Sequence, residues 1–368
     1  MTIDLQYISD SLWNVRSVQK ERLASWNRVR GTVDIDFSKL THTPGLFFHI
    51  TAPWQTGGNL GAYLGTIAEP SGMASGNCFR LDSWWFEKRV KEKRVVFRLG
   101  QFAAQDFYGT QHLGGSFIAE PLDYALGNLS ATYETFDPPS TPAAEMRVIP
   151  LKHLYVKSMV YAADRIPYAH NQTGFVPQFR GAASNVSEIG WSPGQPATAV
   201  RAFDTIAQRK GYTGLYQLGS AYNPGKFQST GPIKTSGNYL IYLMGSQAIW
   251  RTKPGSGVGF DLTAATDWTP SDRSRVPRQT TVGARFDEPL PLRQHNTIAF
   301  GYVHSSLSRS FPAAQSGPPH RAEDVLELNS LVEVTRFITV QPVVQRFLNV
   351  GGTSKPATVF GFRSKVNF

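Results

Sequence analysis

The chain closes on ATVFGFRSKVNF, residues 357–368, and the side chains of that stretch sort by parity. Phe360, Phe362, Val366 and Phe368 fall on one face of an extended segment, while Gly361, Arg363, Lys365 and Asn367 fall on the other. Successive side chains of a strand point to opposite sides, so this segment has one apolar and one polar surface. Such a strand suits a closed barrel whose outer wall meets lipid and whose interior is wet.

The same two-residue period recurs upstream. Val33, Ile35 and Phe37 oppose Asp34, Asp36 and Ser38; Val95, Phe97 and Leu99 oppose Arg94, Val96 and Arg98. Leu154, Val156 and Val160 oppose His153, Tyr155 and Lys157, and Leu326, Leu328 and Val332 oppose Glu327, Asn329 and Glu333. Alternation also occurs in soluble sandwiches, so connection lengths matter. Counting back from Phe368, short connections at Arg336-Phe337 and 253–256 and a modest one at 288–295 interleave with long ones at 307–324, 265–278 and 220–237. Short turns at one rim and long loops at the other are the pattern of an outer-membrane barrel. The expectation is an all-β, transmembrane antiparallel β-barrel of about 16 strands, a single domain over residues 1–368.

Composition agrees. The chain has 41% hydrophobic and 12% aromatic residues, 33 Gly and 24 Pro, too apolar for disorder and rich in strand and turn formers. No run approaches the roughly 20 apolar residues of a spanning helix. The mean hydropathy of -0.26 fits strands that show lipid only every second side chain. The single Cys78 rules out a disulfide framework within the chain, and the eight His lack metal-ligand spacing, so no cofactor or metal is expected. The net charge of +10 is spread singly along the chain, which speaks against nucleic acid as a partner. Met1-Thr2-Ile3-Asp4 does not read as a signal peptide, so the expectation is a mature or trimmed form of an exported protein.

Residues 326–368, LELNSLVEVTRFITVQPVVQRFLNVGGTSKPATVFGFRSKVNF, resemble the C-terminal region of the OprB-type carbohydrate-selective porins. The shared elements are Glu327, Gln341-Pro342, Gln345, an Asn349-Val350-Gly351-Gly352 loop, Gly361 to Arg363, and Phe368. GNYLIYLMGSQAIWR (237–251, with Gln247) and RVVFRLGQFAAQDF (94–107) resemble further family strands. Val343 stands where the family often has an acidic residue, and residues 171–210 match poorly. The resemblance implies passive, carbohydrate-selective diffusion of small sugars, such as glucose or small oligosaccharides, across the bacterial outer membrane.

The faces opposite the apolar ones supply the candidate pore lining: Asp34, Asp36, Arg94, Arg98, Gln247, Arg285, Glu327, Glu333, Gln345, Arg363 and Lys365. Facing rows of Arg and carboxylates offer donors and acceptors to hydroxyl-rich solutes and bias ion passage. Trp84, Trp85, Tyr108 and Tyr124 are candidate aromatic surfaces for a sugar ring; Trp84, on one face with Arg80 and Asp82 by parity, is preferred. Residues 107–127 are Gly-rich and are read equally as an inward constriction loop or an outward one. Phe368 resembles the terminal aromatic read by the barrel assembly machinery, which places it at the periplasmic rim. Other expected partners are outer-membrane lipid and lipopolysaccharide, with the oligomer open between monomer and trimer. Two rival readings remain: a general or anion-preferring porin, and a secreted β-rich carbohydrate-binding protein or hydrolase using Asp34 and Asp36.

Overall fold

In the computed structural model the parity of each segment becomes a wall. The structure describes the chain apart from residues 42, 75, 111–112, 114, 124–125, 127, 129–139, 165, 201–210, 228–233, 254–257, 291, 293–294 and 309–319, and the side chains of 39, 167 and 168. The expected Tyr124 lies outside the described residues. The first strands are β1 (Thr2–Arg16), β2 (Arg22–Asp36), β3 (Leu46–Gly57), the two-residue β4 (Cys78–Phe79), β5 (Ser83–Val90), β6 (Val95–Phe102), β7 (Thr141–Leu151), β8 (Leu154–Ala163) and β9 (Ala182–Trp191). They continue as β10 (Gly214–Phe227), β11 (Thr235–Arg251), β12 (Gly259–Trp268), β13 (Arg278–Asp287), β14 (Asn296–Ser306), β15 (Ala322–Glu333), β16 (Ile338–Leu348) and β17 (Ala357–Asn367).

Each long strand pairs antiparallel with its sequence neighbours, and β17 pairs with both β16 and β1. The sixteen long strands therefore close a barrel, with β4 a short addition to the edge of β3. Closure leaves no unpaired edge, which a bilayer demands because it offers no water to satisfy backbone groups. No described helix is long and apolar enough to cross a membrane.

The outward residues Phe97, Leu99, Val160, Leu218, Leu243, Phe300, Leu328, Phe360 and Phe362 are all exposed, an apolar outer face matched to lipid. Inward partners such as Glu145, Lys157, Glu188, Asp261 and Glu327 are buried.

The rim that carries Phe368 has tight turns at residues 91–94, 152–153 and 334–337, and the opposite rim has the long connections 103–140, 164–181 and 307–321. Two connections break the expected rule. Residues 17–21 make a short turn on the loop-bearing rim, and 192–213 form a long connection on the Phe368 rim. The expected loops at 220–237 and 265–278 are also too long, since β10 continues to Phe227 and β12 to Trp268. In β10 the turn-forming Asn223, Pro224 and Gly225 sit within the strand, at a register shift between Asn223 and Lys226.

Two connections from the loop-bearing rim turn into the barrel. Leu60, Leu64 and Ala68 of the first, and Leu113, Phe117, Ile118 and Leu122 of the second, pack on Leu12, Ala299, Val303, Val325, Val343, Phe347 and Val359 of the inner wall. Residues 107–127 thus fold inward over their described part. Fully burying a side chain of this size stabilises by about 1.5–3 kcal/mol, so the cluster is a true core inside the barrel. The wall makes room for it with glycine: a Cβ at Gly301 would clash with Leu122 Cδ1, and one at Gly283 would lie 3.0 Å from the Phe117 ring.

Candidate translocation path

The inward segments are fixed by side chains of the inner wall. Glu327 accepts from Ile118 N (2.8 Å) and Ala119 N (2.7 Å), and from Asn329 and Gln345. Gln345 donates to Pro70 O at 2.8 Å. Arg363 donates to Asp10 of β1 at 2.7 and 2.9 Å, pairs with Asp123 at 2.9 Å, and donates to Phe117 O at 3.3 Å. Glu323 accepts from Ile67 N, Ala68 N and Gly351 N. Arg285, 1% exposed, pairs with Asp261 at 2.8 Å and Asp287 at 2.9 Å and donates to Ser116 Oγ at 3.1 Å. Four expected pore residues, Arg285, Glu327, Gln345 and Arg363, therefore face inward but hold the inward segments.

The lumen also holds open space. A cavity of about 650 Å³ runs inward from the Phe368 rim along β2, β3 and β5–β8, lined by Asp34, Asp36, Trp85, Glu87, Arg89, Lys93, Arg98, Phe107, Glu145, Arg147, Tyr155 and Lys157. That volume lies within the roughly 300–1,000 Å³ of small-molecule sites. Thr198 and Val200 of the connection after β9 also line it, and Ala197 and Val200 pack on Ile149, Tyr155 and Leu215. Arg147 donates to Ala197 O at 2.6 Å and Val200 O at 3.2 Å.

Strand register arranges the charges of this cavity. Glu87 faces Arg98 across β5 and β6, Arg98 faces Glu145 across β6 and β7, and Lys157 faces Glu188 across β8 and β9. Directly opposed residues are the closest neighbours a sheet offers, so these contacts follow from register alone. Arg98 pairs with Glu87 at 2.5 Å and Glu145 at 2.9 Å, and Arg89 reaches the other oxygen of Glu87. Lys157 pairs with Glu188 at 2.9 Å, and Glu188 also accepts from Tyr155 OH (2.8 Å), Tyr242 OH (2.6 Å) and Gly109 N (3.1 Å).

Aromatic rings sit among these charges. The Arg98 guanidinium lies 3.8 Å from the centroid of Phe107 and 4.8 Å from that of Trp85, within cation–π range. His49 stacks on Trp85 with centroids 4.7 Å apart and bonds Asp34 at 2.8 Å. Arg147 and Lys157 lie 4.5 and 5.4 Å from the Tyr155 ring, and Lys157 lies 4.5 Å from that of Tyr108.

Of the expected residues, Asp34, Asp36 and Arg98 line this cavity. Asp36 also caps the short helix Phe37–Leu40 by accepting from Ser38 N at 3.0 Å. Others fall elsewhere. Trp84 lies on the outward face with the exposed Phe86, while Ser83, Trp85 and Glu87 point inward; the parity carried forward from Arg80 and Asp82 fails at the irregular join between β4 and β5. Arg80 and Asp82 are buried in that join, where Asp82 accepts from Ser140 Oγ at 3.2 Å. Gln247 alternates with the inward Ser246 and Ala248, so it faces outward, where it accepts from Tyr216 OH at 3.0 Å. Arg94 is exposed in the 91–94 turn, and Glu333 and Lys365 lie half-buried toward the Phe368 rim. Reading from residues missed Glu87, Glu145, Lys157 and Glu188; each is a charge at an inward position in the middle of a strand, which is the signal that locates them.

A family model for carbohydrate-selective porins of the OprB family matches residues 20–368. The chain belongs to that family. OprB of Pseudomonas putida in its high-pH structure aligns with a TM-score of 0.87 at 15% identity, covering 100% of this chain and 94% of that one. Its low-pH structure aligns with a TM-score of 0.63 at 14% identity, covering 100% and 92%. At those identities the likeness shows the shared barrel fold. No curated protein matches the sequence. As an OprB-family member the protein is an outer-membrane porin for passive, carbohydrate-selective diffusion, and its substrates are sugars. The family is one of channels rather than enzymes.

Proposed function

We propose that sugars cross this barrel along the half left open by the inward segments, past Trp85, Phe107 and Tyr155 and between the opposed charges of Glu87, Arg98, Glu145, Lys157 and Glu188. The observation that supports this reading is the coincidence, in one cavity, of aromatic ring faces with register-opposed cations and carboxylates. Rings offer apolar faces to a pyranose, and fixed donors and acceptors at the edges exchange with its hydroxyls. Because the charges already neutralise one another, each solute contact is weak, which conduction requires.

The Phe368 rim is the periplasmic one in this reading, with Phe368 N bonded to Leu5 O at 2.9 Å and the ring exposed for the assembly machinery. The chain acts as one barrel domain.

Planar-bilayer conductance, recorded while glucose, maltose and phosphate are titrated, tests the route. Concentration-dependent block by the two sugars, weakened in Trp85→Ala, is the expected result. Strong anion selectivity with no sugar block would instead identify a general anion pore.

A further inference from the structure

The inner face of β7 and β8 sets two like charges side by side. Arg147 and Lys157 stand directly opposite each other in register, and like charges at opposed positions of a sheet repel. The next residues along that row are Glu188 on the β9 side and Val96 on the β6 side. Glu188 neutralises Lys157 at 2.9 Å, whereas Val96 brings Arg147 no charge.

The row one step deeper into the barrel does not make up the difference. Its carboxylates Glu87 and Glu145 are both held by Arg98, at 2.5 and 2.9 Å, and Arg89 takes the other oxygen of Glu87. Asp34 and Asp36 of the same cavity stand on β2, four strands from β7, which is about 19 Å along a wall whose strands lie roughly 4.8 Å apart. Asp34 is bonded to His49, and Asp36 caps its short helix. Arg147 therefore has no carboxylate in ion-pair contact among the described residues.

Its existing partners are neutral. Nη1 and Nη2 donate to the backbone carbonyls of Val200 and Ala197, at 3.2 and 2.6 Å, and the buried Nε has no hydrogen-bond partner among the described residues. Tying down two carbonyls needs a donor and not a charge, so a neutral side chain would serve that purpose without the cost of a half-buried cation beside Lys157. The guanidinium is also pre-oriented. It lies 4.5 Å from the centroid of the Tyr155 ring, whose hydroxyl is fixed on Glu188 at 2.8 Å.

We propose that Arg147 binds the carboxylate of acidic monosaccharides, and that sugar acids of the uronate class cross this pore in addition to neutral sugars. The inference rests on the sugar path proposed above and adds a charged substrate class to it. Arg147 presents a planar fork suited to a carboxylate, and its two carbonyl bonds leave further N–H groups to donate. The cavity favours a carboxylate carried on a sugar over a small free anion, since its volume of about 650 Å³ holds a whole monosaccharide, with Thr198 and Gln217 of its lining beside Arg147 to meet hydroxyls.

Planar-bilayer conductance of the full-length protein, with glucose, glucuronate and acetate titrated separately at constant ionic strength, tests this. Glucuronate differs from glucose only in its oxidised C6, and it should half-block the wild type at a concentration on the order of tenfold lower. Acetate should block no better than glucose. Arg147→Gln should lose the advantage of glucuronate while the half-block by glucose stays in place, and Arg147→Lys should keep part of it. Equal half-block of the wild type by glucose and glucuronate overturns the proposal without any variant. An equal shift for both solutes in Arg147→Gln also overturns it, leaving Arg147 as a tie to the connection after β9. Acetate block as strong as that by glucuronate would make this a site for any small carboxylate and overturn it too. Failure of the underlying path is distinguishable, because glucose itself then fails to block the wild type.

Discussion

Arg98 and Glu145 stand directly opposite each other across β6 and β7, with Nη1 and Oε2 2.9 Å apart, and Arg98 holds Glu87 in the same way on its other side. Arg98 between two carboxylates, with Arg89 on the far oxygen of Glu87, makes this point of the lumen a sensor of charge balance. Glu145→Gln should shift the reversal potential in a salt gradient toward anions, and Arg98→Gln should shift it toward cations, since Glu145 is then released while Glu87 keeps Arg89. Equal reversal potentials for the three proteins would rule out this cluster as part of the ion path.

Trp85 and Trp84 are adjacent in sequence and opposite in orientation. Trp85→Ala should raise the sugar concentration that half-blocks conductance by roughly tenfold, the equivalent of about 1.4 kcal/mol. Trp84→Ala, on the lipid side, should leave that concentration unchanged. The reverse order of effects would place the sugar elsewhere.

Glu327 binds the backbone of the second inward segment at Ile118 and Ala119. Glu327→Ala leaves two buried N–H groups unsatisfied, each costing about 1–3 kcal/mol, so the segment should loosen within an intact barrel. Single-channel recordings should show larger and noisier openings than wild type. A quiet trace of wild-type amplitude would mean that the segment is held without Glu327.

Gly301 gives the same segment its space. In Gly301→Leu the new side chain meets Leu122 and Phe117, so conductance should rise as the segment is pushed from the wall. The heat-modified gel shift that reports barrel closure should persist. Unchanged conductance in a folded Gly301→Leu protein would count against the inward packing.

Glu69 joins the two inward segments: its carboxyl accepts from Asn59 Nδ2 at 3.3 Å, and its carbonyl oxygen accepts from Glu120 N at 3.0 Å. Burial raises its pKa from 4.5 to about 6. The folded state therefore holds this proton more tightly than the unfolded chain, and its contribution is full at low pH and lost as pH rises through about 6. Opening noise should increase across that range in wild type and not in Glu69→Gln. A pH-independent wild-type trace would exclude Glu69 as the titrating group.

Strand identity was legible because lipid imposes parity on every outward side chain, and β17 reads in the structure as it does in the sequence, down to Arg363 and Lys365 facing in. The site was less legible because inward-facing charge has two destinations. Arg98 and Asp34 meet the open cavity, whereas Arg285, Glu327, Gln345 and Arg363 meet segments that come from more than 150 residues away in the chain. Parity tells inside from outside and says nothing of what else is inside. Trp84 and Gln247 show a second limit: parity is a phase, and the phase slips wherever a strand begins irregularly, as at β5, or is read from a motif instead of its own alternation, as in β11.

Arg363 sits on β17, takes its main partner Asp10 from β1, and takes Asp123 from the second inward segment. The join between first and last strands and the seating of that segment thus share one guanidinium. Each event raises the equilibrium constant of the other by the same factor, since such linkage is reciprocal. A barrel that zips shut before its segment arrives leaves Asp123 unmet, and a segment that arrives early gives the last strand a reason to find the first. The seam is therefore also a tie between wall and filling: closing the cylinder and occupying its interior favour one another through Arg363.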